Sequence, residues 1–287
     1  MNSSPERLDD EYVEARRVLL DALEALGDQR DSVIIAGAQA IYLQVGPGSL
    51  PIADFTTDGD LALDPQRLAD EPTLTQLMEA GGFELRLHDG FPEPGIWEAP
   101  ALVNGVDVRI PVDLIVPTGV APPGGTRGAR LGVHGKRAAR KAPGLEAVLV
   151  DNQVLRIEAL DPADGRAMEV RVAGPAALLV AKTHKINDRV RSGREDRLDD
   201  KDASDVVRLM QRCPSDRVGT VLGGLLQHPI AGAPTTEALV ALIELFGTRN
   251  GIGIQMASRA LQVAMPSERV RAICLAYVLA LTEAIGD

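Results

Sequence analysis

The chain predicts an α+β half followed by a helical half. Three observations lead there. Short runs rich in Val, Ile and Leu, of strand length and bounded by turn residues, are confined to residues 33–172. From Gly174-Pro175 to about residue 285, apolar residues recur at helical spacing. Between them lies an irregular segment, 117–144, dense in Gly and Pro. The division is drawn as an α+β domain over 1–173 and a helical domain over 174–287.

Taken in order, residues 6–26 read as an amphipathic helix with Val13, Val18, Leu19, Leu20, Ala22, Leu23 and Leu26 on its apolar face, stopped at Gly27. Val33–Ala36 is a short buried strand, Gly37 a turn, and Ala38 to Val45 a short helix. The loop Gly46–Asp54 leads into a second strand, Phe55–Leu63, ended by Asp64-Pro65. Residues 66–80 read as a helix with Leu68, Leu74, Leu77 and Met78 inward, and Phe83–His88 as a strand. Val106–Val116 is the strongest strand, with Pro111 suggesting an edge or a bulge. Strands near Ala147–Val150, Val154–Leu160 and Met168–Val172 follow, with a turn at Asp164-Gly165. Helices are expected over Ala176–Val190 and Asp200–Arg212, then through most of 216–285, with a loop at Gly247–Gly253.

Composition excludes several classes. Hydrophobic residues make up 45% and charged residues 25%, ordinary for a globular chain, and aromatics only 3%, so the core rests on Leu, Val, Ile and Ala. A formal charge of -11 argues against a whole-surface nucleic-acid binder while leaving room for a local basic patch. Cys213 and Cys274 are the only cysteines and the four histidines are scattered, so neither a disulfide framework nor a zinc site is indicated. No apolar run approaches the length of a membrane span, and the N-terminus lacks an apolar signal region. A cytoplasmic location without membrane partners is the expectation.

The stretch Thr56–Leu63 carries the chemistry. On a strand, Asp58 and Asp60 would share a face, and two adjacent carboxylates call for a cation. Mg2+ is hard, prefers oxygen, and is usually held by one or two carboxylates plus substrate phosphates. Gly37, between a strand and a helix, lets backbone approach a phosphate at a helix N-terminus. Asp113, on a later strand, falls on the face opposite Val112 and Leu114 and is the candidate third acid, with Asp107 as rival. Lys182, Lys185 and Arg189 form a cationic stripe on one helix face, suited to phosphates or simply solvated. Asp202 and Asp205 share a face of the next helix, where they orient those cations, bind an acceptor, or form a structural ion network. His184 is expected to pair with Asp188 in a structural role.

This ordered set resembles the nucleotidyltransferases of the DNA polymerase beta superfamily, nearest the branch of AbiEii-like and MenT-like toxins of bacterial toxin–antitoxin systems. Gly37, Thr56, Asp58 and Asp60 match the first motif, and Val-Asp-Leu at 112–114 the third-acid strand. The run from Lys182 through Arg189 matches the basic helix, and Lys201-Asp202-Ala-Ser-Asp205 the last motif. The resemblance spans about 33–210 and implies a nucleotidyltransferase-like mixed sheet. It implies Mg2+, one or two ions, held by Asp58, Asp60 and Asp113, with an NTP such as ATP bound by Gly37, Ala38, Thr56, Lys182 and Arg189. Transfer of an NMP to an acceptor, tRNA among them, and a cognate antitoxin partner are implied too.

Two departures support an alternative, a catalytically weakened relative that binds a nucleotide or a partner protein. Ala38 stands where the family has Gly or Ser after the first glycine, and Asp54 where Arg is frequent. The segment 126–145 holds Arg127, Arg130, Lys136, Arg137, Arg140 and Lys141 and no acid, reading as a mobile loop for RNA phosphates, a solvated loop, or a dock for an acidic partner. No aromatic interleaves these cations, so base stacking is not indicated.

Overall fold

A computed structural model describes residues 9–46, 56–193 and 200–286. The first helix, α1 (Asp10–Ala25), starts where Asp9 accepts hydrogen bonds from the backbone N–H of Glu11 and Tyr12. Its apolar spacing buries Ala15, Val18, Leu19, Leu20, Ala22 and Leu23, each leucine contributing about 1.5–3 kcal/mol on full burial. Next come β1 (Val33–Ala36), α2 (Gly37–Val45), β2 (Gly59–Leu63) and α3 (Leu74–Ala80). Four strands follow, β3 (Glu84–His88), β4 (Phe91–Val103), β5 (Val106–Pro117) and β6 (Arg140–Ala142). Then come β7 (Asn152–Glu158), β8 (Ala167–Ala173) and six helices. These are α4 (Pro175–Arg191), α5 (Asp200–Arg212), α6 (Ser215–Leu226), α7 (Gly232–Phe246), α8 (Ile252–Ala260) and α9 (Ser267–Gly286). The architecture is mixed α+β, with an open mixed sheet and a C-terminal helical region.

The chain forms two compact units. The first gathers Met1–Gln39, Ala53–Ala142 and Gln153–Val172; the second gathers Ala40–Ile52, Pro143–Asn152 and Ala173–Asp287. Two short stretches from inside 1–173 therefore cluster with the helices.

In the first unit the strand order is β3-β4-β5-β2-β1-β8-β7, with β6 added to β5. β1 runs antiparallel to β2, β2 parallel to β5, and β5 antiparallel to β4. One sheet face carries Leu61, Val112, Leu114 and Trp97, all buried, and α1 packs against β2, β4 and β5. The opposite face is mixed, with buried Ala62, Ile96 and Ile115 beside a row of charged residues. Period two and the strand register place Glu84, Arg86, Glu98, Arg109, Asp113 and Asp60 there.

Several expectations change. Helix 66–80 shrinks to α3, because Pro72 disfavours helix in the residue before it and Gln29 satisfies the backbone of Ala69 and Pro72 instead. Thr73 and Gln76 then form a capping box. β4 was not expected: Pro92, Pro94, Pro100 and Gly95 mask its alternation. Pro111 lies inside β5 opposite Glu98, one residue before β2 begins to pair at Val112, so the other side of β5 is open there. Ala147–Val150 is a 3-10 turn rather than a strand.

The segment 117–144 is a built arm. Ala129 N–H donates to Ala139 O and Lys141 N–H to Arg127 O, and Trp97 Nε1 donates to Ala138 O. His134 Nδ1 accepts from Leu74 N–H at the start of α3. Three of the six cations are engaged: Arg127 with Glu93, Arg140 with Asp113, and Lys141 with the carbonyls of Gly124 and Gly125.

In the second unit Pro175 opens α4, and Asp151 Oδ2 accepts from Ala177 N–H in its first turn. α4 packs on α5 and α7, α5 on α8, and α6 on α9, around Leu178, Ile186, Val206, Leu222, Phe246 and Leu281. Both α4 and α5 fall within one residue of the expected spans. His184 Nε2 donates to Pro234 O at 2.7 Å, in place of the expected Asp188 pair.

Among the described residues, no helix is long and apolar enough to cross a membrane.

Candidate active site on the polar sheet face

Asp60 and Asp113 are direct cross-strand partners in the parallel pairing of β2 with β5, so their side chains leave the same face side by side. Asp58 lies just before β2, not on it as expected. The chain bends at Thr57, and Thr56, fully buried, donates its hydroxyl to Asp58 Oδ1 at 2.7 Å. Asp58 is still near enough to Asp113 for its charge to act on that carboxyl. Asp107, the rival third acid, is exposed and sits opposite Leu102, six positions along β5 from Asp113. Asp54 lies outside the described residues.

Gly37 is required twice over. Its φ of +64° belongs to the left-handed region, and a Cβ added there would lie 2.8 Å from Asp60 Cγ and closer still to Oδ2. The Asp60 carboxylate therefore rests against the turn into α2, beside the helix N-terminus where Ala38 follows.

Two residues that support this turn were missed in the sequence. Gln39 Nε2 donates to Asp58 O at 3.1 Å and to Ala15 O at 3.2 Å, and Gln39 Oε1 accepts from Arg16 Nε at 2.7 Å. Arg16 is itself buried and donates to Glu158 O and Tyr12 Oη. Burial lowers its pKa, with Tyr12 acting the other way. The signal was present: Arg16 falls between Ala15 and Leu19 on the apolar stripe of α1, where a cation needs a polar partner inside.

Arg140, named in the sequence only as one of the cations of the basic segment, proves to be a partner of Asp113. Its Nε and Nη2 both donate to Asp113 Oδ2, at 3.0 and 2.6 Å. Burial pushes the Asp113 carboxyl above the usual carboxylate range, Arg140 opposes that through its charge and hydrogen bonds, and Asp58 reinforces it. Arg86 also reaches Asp113 electrostatically, while its Nε binds Glu93 at 2.7 Å, and Arg127 binds the same buried Glu93 at 2.9 Å.

The donor chemistry fits a hard divalent cation: carboxylate oxygens from Asp60 and Asp113 on one face, with Asp58 beside them. Among the described residues, no group of three or more His, Cys, Asp or Glu side chains is drawn into a ready cage. Mg2+ needs only one or two carboxylates when substrate phosphates complete its shell.

In the second unit the three cations of the α4 stripe all meet one carboxylate, from buried Lys182 to exposed Lys185. Lys182 is buried, its Nζ 2.7 Å from both Asp202 Oδ1 and Asp205 Oδ2. Lys185 lies 3.1 Å from Asp202 Oδ1 and Arg189 2.6 Å from Asp202 Oδ2. Asp202 thus meets three cations, and the ion-network reading describes this cluster. Burial raises the pKa of Asp202, but Lys182, Lys185 and Arg189 together take it well below the usual carboxylate range. For a depressed carboxylate the stability is present above its unfolded pKa, about 3.9, and lost as pH falls through the folded value. Stability measured by urea unfolding is therefore expected to drop more steeply below about pH 4 in the wild type than in Asp202→Asn.

Both cysteines are buried, and burial lifts the thiol of Cys213 to about 11 and that of Cys274 to about 12, leaving neither a thiolate nucleophile at neutral pH.

Comparison of the chain with protein-family models, with curated proteins and with solved structures gives no match in any of the three.

Proposed function

We propose that this protein is a metal-dependent nucleotidyltransferase that moves an NMP from an NTP to an acceptor and releases pyrophosphate, built on a nucleotidyltransferase-like sheet. The observation that carries the reading is the pairing of Asp60 with Asp113 on one sheet face, beside Asp58. Bound Mg2+ would neutralise the triphosphate and favour attack at the α-phosphorus. Asp58 and Asp60 would offer it oxygens, and Asp113 would complete the set. Asp113 would also take the proton of the attacking hydroxyl. The acceptor oxygen bonds the α-phosphorus as the bond to pyrophosphate breaks. Backbone N–H groups from Gly37 and Ala38 at the start of α2 would face phosphate. tRNA is the acceptor, and a toxin with a cognate antitoxin the setting, that the resemblance favours.

A specific observation favours a second reading, a nucleotide- or partner-binding relative without turnover: Asp113 is engaged by Arg140, and Ala38 brings no hydroxyl to the turn.

Incubation with Mg2+, each labelled NTP and total tRNA decides between them. Label is expected to pass to the acceptor, falling about a thousandfold in Asp58→Ala, as loss of several kcal/mol of charge stabilisation implies. Nucleotide binding without transfer to any acceptor would instead support the second reading.

A further inference from the structure

Arg140 approaches the carboxylates from a fixed base. Its backbone belongs to β6, opposite Ile115 of β5, two residues past Asp113 and so on the same sheet face. β6 comes in close because β4 has glycine at 95: a Cβ there would run into Arg140 N and lie 2.6 Å from Leu114 O. The arm is further held by Gly95 N–H donating to Arg137 O and by Trp97 Nε1 donating to Ala138 O. Only the side chain of Arg140 is left to move, and it is 24% exposed.

The charges around it explain why it sits where it does. Asp60 and Asp113 leave one face side by side, Asp58 lies near enough for its charge to act on Asp113, and without a cation these carboxylates repel one another. Arg140 places both donors on a single oxygen, Asp113 Oδ2. A guanidinium binds carboxylate and phosphate through the same fork of N–H donors. Arg86 on β3 and Arg127 on the arm, both paired with Glu93, set two more guanidiniums nearby.

We propose that Arg140 is an exchangeable counter-ion: it neutralises Asp113 while the site is empty, yields that carboxylate to the divalent cation, and turns its guanidinium to the phosphates that arrive with it. This rests on the nucleotidyltransferase reading and adds a phosphate-binding residue to it. The arm thus matches cation and nucleotide, because each makes room for the other. Cation alone has to displace Arg140, and nucleotide gives Arg140 a new partner.

The test measures binding, not turnover. Mn2+ binding to the full chain is followed by electron paramagnetic resonance without nucleotide, and binding of a non-hydrolysable ATP analogue by calorimetry with Mg2+ present. Arg140→Gln is expected to tighten Mn2+ roughly five- to tenfold and to weaken the analogue at least tenfold, scales set by one charge near a site. Arg140→Lys, which keeps the charge and loses the fork, is expected to leave Mn2+ within about twofold of wild type and to weaken the analogue by a smaller factor. It also serves if the glutamine variant does not fold. Loss of both affinities together, or no change in either, would overturn the proposal. Wild-type chain whose Mn2+ binding is untouched by Asp58→Ala would overturn the nucleotidyltransferase reading itself. Mn2+ binding that Asp58→Ala abolishes but Arg140→Gln leaves unaltered removes only the exchange.

Discussion

Lys182→Ala is expected to cost the helical unit about 3–5 kcal/mol, the range found when one partner of a buried ion pair is removed. The reason is geometric. Its side chain is 7% exposed, and its ammonium touches Asp202 and Asp205, whose side chains are 3% and 1% exposed. Asp202 would keep Lys185 and Arg189, but Asp205 has an Oδ1 that already lacks a hydrogen bond in the structure. The cost should therefore fall mainly on Asp205. Adding Asp205→Asn to Lys182→Met, which keeps most of the volume, is expected to recover part of the loss, because a neutral amide is cheaper to bury than an unpaired charge. Urea unfolding followed by helical circular dichroism measures all of these. A domain stability of about 5–15 kcal/mol makes the alanine variant marginal. Equal losses in the single and double variants would show that packing, not charge, governs this site.

Gly37→Ala is expected to lose about 2–4 kcal/mol and to displace Asp60. An alanine forced to a φ of +64° costs roughly 1–2 kcal/mol by itself. The rest is collision, and the three nearest atoms it meets belong to the Asp60 side chain. That gives a sharp double-variant experiment. In an Asp60→Gly background the collision disappears and only the backbone cost remains, so Gly37→Ala should then cost about 1–2 kcal/mol. The only tryptophan, Trp97, is buried in the first unit, and its fluorescence reports unfolding there. An unchanged cost in the two backgrounds would place the obstruction elsewhere.

Local chemistry explains which parts of the fold were legible. α1, α4 and α5 were readable because a helix writes its burial every three to four residues, and α4 also marks its start with Pro175, whereas the cap of α1 at Asp9 was not read. β1 and β5 were readable as dense apolar runs. β4 was not, since prolines are evidence against a strand unless its neighbours are known. Residues 66–73 misled for the converse reason. Their apolar spacing suited a helix, but Gln29, 40 residues earlier, supplies hydrogen bonds that hold another conformation.

The candidate site divides along the same line. Asp58, Asp60, Asp113 and Gly37 could be picked out because few residue types perform cation and phosphate chemistry, and their order in the chain narrows them further. Lys182, Asp202 and Asp205 were found as a charged set, yet spacing alone left open whether they met phosphate or each other. Sequence determined the chemistry on offer: which acids and cations exist, and which helix face or strand each occupies. Tertiary structure decided their partners. Arg140 meets Asp113 from 27 residues away and Lys182 meets Asp205 from 23, through strand pairing in one case and helix packing in the other. Electrostatic energy depends on distance through space, and separation along the chain carries no information about that distance until the backbone is folded.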